Sequence, residues 1–103
     1  MRRAKIFVGR NLAGFLEEIE RGKKYIFRYE KEYSGLPVSL TMPTIQEEYF
    51  FDSFPPFFDG VLPEGIMLEA MLKQRKLDRD DLFGQLIAVG QDLVGAVSVE
   101  GVE

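Results

Sequence analysis

The chain has 103 residues, 46% hydrophobic and 29% charged, with a formal net charge of −4, which suits one ordinary domain over residues 1–103 that buries a core unaided. It has no cysteine and no histidine, so disulfides, thiolate nucleophiles, Ser-His and Cys-His triads and the usual zinc ligands are excluded. No window approaches a membrane span, the basic start is interrupted at Gly9, Arg10 and Asn11 before a signal-peptide core forms, and a cysteine-free chain fits a reducing cytosol, so a cytoplasmic location is expected.

In chain order, Ala4 to Val8 (AKIFV) predicts a short first strand. Leu12 to Glu20 reads as a second strand or a helical turn. The turn signal Arg21-Gly22-Lys23 and the alternation after it decide for a strand: Tyr25, Phe27 and Tyr29 share one face, and Lys24, Arg28 and Glu30 the other. Ser34-Gly35-Leu36-Pro37 turns the chain, Val38 to Met42 predicts a further short strand ending at Pro43, and Thr44 to Glu48 a polar loop. From Pro63 the run PEGIMLEAMLKQRKL has proline at a first helical position, a carboxylate in the first turn and Lys73, Arg75 and Lys76 in the last. Asp78 offers an N-cap, with Asp80 and Asp81 in the first turn of a second helix that Gly90 closes. Val94 to Val99 predicts a last strand. The expected fold is α+β: a small antiparallel sheet, open or barrel-like, from the N-terminal half and the last strand, with two helices near 63–76 and 79–89.

Charge is laid out unevenly. Residues 1–31 hold nine of the 13 Lys+Arg against four carboxylates, and residues 32–72 hold seven carboxylates and no base. Arg2, Arg3, Lys5 and Arg10 raise the question of nucleic acid, yet they alternate with apolar residues in an acidic chain. That favours a solvated strand face and no direct nucleic-acid contact.

Catalytic chemistry finds no footing. The string Asp81-Leu82-Phe83-Gly84 has the letters of a kinase D-F-G but sits in a predicted helix, without a glycine-rich loop or an H-R-D. Asp78, Asp80 and Asp81 lack the other ligands of a calcium loop and read as helix capping. Glu47 and Glu48 adjoin in sequence and do not face each other across a substrate. No catalytic residue, cofactor or metal site is expected.

The densest feature is Tyr49-Phe50-Phe51-Asp52-Ser53-Phe54-Pro55-Pro56-Phe57-Phe58. Each phenylalanine buried contributes about 1.5 to 3 kcal/mol, and the prolines stiffen the segment and argue against regular structure in it. Most of these aromatics are expected in the core, and Tyr49, Phe50 and Phe54 are left open as partner contacts. At Pro63-Glu64-Gly65 two readings stand side by side. One is a helix start in which Glu64 faces the positive helix end and Gly65 permits close backbone packing. In the other, Ile66 or Met67 points outward as an apolar contact while Leu68, Met71 and Leu72 turn inward.

These residues also carry a resemblance. Phe57 through Gly65 (FFDGVLPEG) resembles the F-x-x-L-L-P-E-G signature in the N-terminal subdomain of HipA-type serine/threonine kinase toxins, with Val61 in place of a leucine. Phe27-Arg28-Tyr29, Tyr33 and Pro37 to Pro43 are similar to the family's F-x-Y and P-L-S-L-S-L-P segments. Asp81-Leu82-Phe83 and Gly90 to Val97 resemble its D-x-F-x-L-L and G-x-D-x-x-G-A-V blocks, with Leu93 where many members have cysteine. Order and spacing match along nearly the whole chain. A full toxin continues into a kinase after G-A-V and this chain does not, so the resemblance is to the HipS antitoxin form of the subdomain in HipBST-type toxin–antitoxin systems. The resemblance implies a non-catalytic antitoxin that binds and inhibits a HipT-like kinase toxin, with a helix-turn-helix HipB-like protein as a further partner. A structural or activating module that completes a separate kinase subunit is the alternative. The expected partner-binding residues are Tyr49, Phe50, Phe54, Glu64, Gly65, Ile66 and Met67.

Overall fold

Five antiparallel strands in the order β4-β3-β2-β1-β5 form an open sheet in a computed structural model that describes residues 1–93 and 95–102. They are β1 (Arg2–Val8), β2 (Asn11–Glu20), β3 (Lys24–Tyr29), β4 (Glu48–Phe51) and β5 (Val97–Val102). The helices α1 (Pro56–Gly60), α2 (Gly65–Arg75) and α3 (Leu82–Val89) lie between β4 and β5 in the chain. The hairpin between β2 and β3 turns at Gly22, whose φ of 72° is the left-handed conformation that glycine enters without strain.

Strand alternation decides what is buried. Tyr25, Phe27 and Tyr29 of β3 point to the face where Ile6 and Leu16 join them, and Phe54, Phe58, Phe83 and Leu86 close that core from the second half of the chain. The opposite face holds a charge ladder. Arg28 donates to Glu48 at 2.7 Å and to Glu17 at 3.2 Å. Arg3 Nε lies 2.8 Å from Glu17, an ion pair not aligned as a hydrogen bond. Arg3 also stacks on Phe15, 4.6 Å from its centroid. Arg3 and Arg28 are thus paired with carboxylates of neighbouring strands, whereas Lys5 and Arg10 form no ion pair among the described residues.

Several expected boundaries move. Val38 to Met42 is not a strand of the sheet: a single bridge joins Ser39 to Met42, with the Met42 N–H donating to the Ser39 carbonyl at 3.0 Å. The segment folds back under Tyr29, whose hydroxyl accepts from the Val38 N–H at 2.9 Å and donates to the Met42 carbonyl. Tyr49-Phe50-Phe51, expected to be irregular, forms β4 by pairing with Tyr25 to Phe27. The prolines that follow do not forbid structure either, because Pro56 occupies the first turn of α1, where no N–H partner is needed. Pro63 precedes the α2 cap residue Glu64 rather than opening the helix.

Asp81, not Asp78, caps α3, accepting from the Gly84 N–H at 3.1 Å. Asp78 contributes instead its backbone carbonyl, which accepts from Gln85 Nε2 at 2.9 Å. The last strand begins at Val97 rather than Val94 and runs on to Val102, and Val94 itself lies outside the described residues.

Candidate functional site

β4 sorts the aromatic segment by its two-residue period. Tyr49 and Phe51 turn toward the core, and the Tyr49 hydroxyl donates to the Pro43 carbonyl at 2.6 Å. Phe50, between them, is 73% exposed. Phe54 is buried, its ring edge-on to Tyr25 at 5.4 Å and 86°. Phe58 is fully buried, with Phe57 edge-on to it at 5.2 Å. Of the three aromatics set aside as contacts, Phe54 is therefore core, Tyr49 is half-buried and Phe50 alone stands out.

α2 supplies a second exposed group. Met71 and Leu72 are buried and Leu68 is half-buried, while Ile66 and Met67 are both exposed, at 87% and 71%. Sequence periodicity left only one of them outward. A free helix end has too little neighbouring structure to cover either. Glu64 and Gly65 are exposed beside them. Glu64 makes no side-chain capping bond, and Gly65 has φ 58° with open space where a Cβ would stand. Gly65 is thus needed for its conformation and not for close packing.

The seven sequence-predicted residues do not form one surface. Phe50 pairs with Ile26 on the face that carries the charge ladder, whereas Glu64 to Met67 belong to the helical layer on the other side. Sequence reasoning also missed Leu40 and Ile45, each 94% exposed. Leu40 shares the parity of buried Val38 and Met42, and a tight turn at Ser39–Met42 throws it outward.

The polar cluster of Arg2, Glu18, Tyr25 and Asp81 is a fastening rather than a reactive site. Arg2 donates to both oxygens of Asp81 at 3.0 and 2.8 Å and to Glu18 at 2.8 Å, and the Tyr25 hydroxyl donates to Glu18 at 3.0 Å. The Arg2 hydrogen bonds hold the Asp81 carboxyl below the usual range against the opposing effect of burial. Burial, followed by the Glu18 carboxylate, pushes Tyr25 up to about 12. A carboxylate locked in its ionised form and a phenol locked in its neutral form are poorly placed to exchange protons near neutrality. Among the described residues, no cluster of three or more carboxylates, histidines or cysteines is arranged to hold a metal ion. No helix among them is long and apolar enough to cross a membrane.

The chain is similar to known proteins along nearly its whole length. An uncharacterized protein of Haemophilus influenzae is 31% identical over 100 residues, spanning 97% of this chain and 92% of that protein. A solved structure described as the N-terminal domain of HipA toxin superposes with a TM-score of 0.78 at 29% identity, covering 100% of this chain and 94% of that one. The HipA N-terminal domain family matches residues 4–100. With the same fold and a match from β1 to β5, the chain belongs to the HipA N-terminal domain family.

Proposed function

We propose that this chain is a non-catalytic antitoxin that binds a HipT-like serine/threonine kinase toxin and restrains it, in a complex that also holds a helix-turn-helix HipB-like protein. The observation that carries the reading is the exposure of Ile66 and Met67 together at the start of a helix whose other face is buried. Two large apolar side chains held side by side in water on a packed helix suit a partner contact. The family match supports it, since the chain corresponds to the N-terminal domain and not to a kinase domain.

The test is co-expression with a HipT-like kinase, scoring growth. Wild-type chain should restore growth, and Ile66→Asp or Met67→Asp should weaken binding by tenfold or more while the melting temperature stays unchanged, since a lost hot spot costs about 2 kcal/mol. Full neutralisation by both soluble variants would place the interface elsewhere. Calorimetry with ATP should show no binding by the chain alone.

A second reading, a module that completes and activates the kinase, has support of its own, because the superposed solved domain is described as part of a toxin. The sign of the growth effect separates the two.

A further inference from the structure

On the helical side of the molecule two apolar grooves run into one another. One, of about 300 Å³, lies between Leu36 and Phe57; the other, of about 530 Å³, lies along α2 beside Met67 and Met71. Val61 and Leu93 line both, so the two form one continuous track. Both shared residues are half-buried, and both follow directly on the ends of rigid elements, Val61 after α1 and Leu93 shortly after α3. The floor is therefore held in place by packed structure.

The rim has a sign. Glu64 and Asp92 border the wider groove, and neither forms an ion pair among the described residues. Arg75 is the one base on that rim. The stretch from residue 32 to 72, which supplies most of the track, has seven carboxylates and no base. An apolar floor with unpaired carboxylates at its edge complements apolar side chains flanked by cations.

We propose that this track is the docking groove for a short apolar segment of the protein partner that carries Lys or Arg at its flanks. The inference rests on the reading that the chain docks a protein through the α2 side, and it names the chemistry of the segment received there. Met67 forms part of the outer lip, and Val61 and Leu93 the floor on which the segment lies.

The experiment uses the full chain, isotope-labelled, titrated by NMR with an amphipathic Leu/Lys peptide and with its Leu/Glu counterpart. The Leu/Lys peptide should give saturable shifts at Val61, Met71 and Leu93, and the Leu/Glu peptide should bind at least tenfold more weakly. The exposed double substitution Glu64→Lys with Asp92→Lys, which leaves the core alone, should erase that preference. Absence of saturable shifts in the track, shifts confined to another surface, or equal binding of the two peptides would overturn the proposal. So would concentration-dependent self-association that perturbs the same residues, since a second copy would then be the occupant. Retention of a HipT-like kinase on immobilised chain is scored in parallel. Kinase retained without peptide binding removes the groove and leaves the antitoxin reading; peptide binding without kinase retention does the reverse.

Discussion

The guanidinium of Arg2 grips both carboxylate oxygens of Asp81, 79 positions away, at 3.0 and 2.8 Å, and lies 5.1 Å above the ring of Phe83. One side chain thus ties the first strand to the cap of the last helix. The same Asp81 accepts from the Gly84 N–H, and a Cβ on Gly84 would stand 2.3 Å from its carboxylate. The aspartate and glycine of the D-L-F-G string are explained by this local geometry, with Phe83 buried as core between them.

Asp81→Ala should cost about 2 kcal/mol, combining a lost helix cap with lost charge-assisted hydrogen bonds. Urea unfolding of Arg2→Met, Asp81→Asn and the double variant should show coupling of roughly 1 kcal/mol. Strictly additive losses would mean that the pair is a surface contact of no consequence.

Stability should fall at both ends of the pH scale for separate reasons. Asp81 titrates lower in the fold than in the unfolded chain, so its contribution is complete above the ordinary aspartate value of about 3.9 and is lost as pH falls through the folded value. Tyr25 is pushed up to about 12. Its contribution is complete below the ordinary tyrosine value of about 10 and is lost as pH rises toward the folded one. Unfolding free energy measured across pH should show a plateau between, with Asp81→Asn flattening the acid limb and Tyr25→Phe the alkaline one. Unchanged limbs in these variants would refute the assignment.

Gly90 is required by contact with β5. A Cβ there would stand 2.1 Å from the Val99 carbonyl, while the Gly90 carbonyl accepts from the Val99 N–H at 2.9 Å and Gln91 Nε2 donates to the Val99 carbonyl at 3.0 Å. These bonds seal the outer edge of β5 against stray pairing. Gly90→Ala should destabilise by about 1 to 3 kcal/mol, the usual range for overpacking. Hydrogen exchange should speed up in β5 before it does in β2 and β3. Uniform acceleration, or none, would contradict this.

Phe50 and Phe54 offer a paired test of what the aromatic segment is for. Phe54→Ala removes a buried ring and should cost about 3 kcal/mol. Phe50→Ala removes an exposed one and should change stability by no more than about 0.5 kcal/mol. Thermal melts of the two variants decide it, and equal losses would show that Phe50 is part of the core.

What was legible in the amino-acid order was whatever a single element imposes on itself. The period-two alternation of Tyr25, Phe27 and Tyr29 and the Gly22 hairpin are local and arise where they were read, and α2 and α3 form within their expected spans. The family motifs were legible too, because they are strings. Tertiary structure alone decided the remainder. Tyr49-Phe50-Phe51 is a strand only because the β3 edge is there to pair with it. The Asp81 cap of α3 is also gripped by Arg2 from the far end of the chain, a partner that no local reading of Asp81 supplies. Val38 and Met42 leave the sheet and bury under Tyr29, which throws Leu40 into solvent. The groove floor at Val61 and Leu93 joins two residues 32 positions apart on the ends of different helices, a distance that no local period spans. Burial on a lone strand or helix follows from its own period, but whether a neighbour covers the buried face, and which of two aromatics in one segment it covers, depends on contacts distant in sequence.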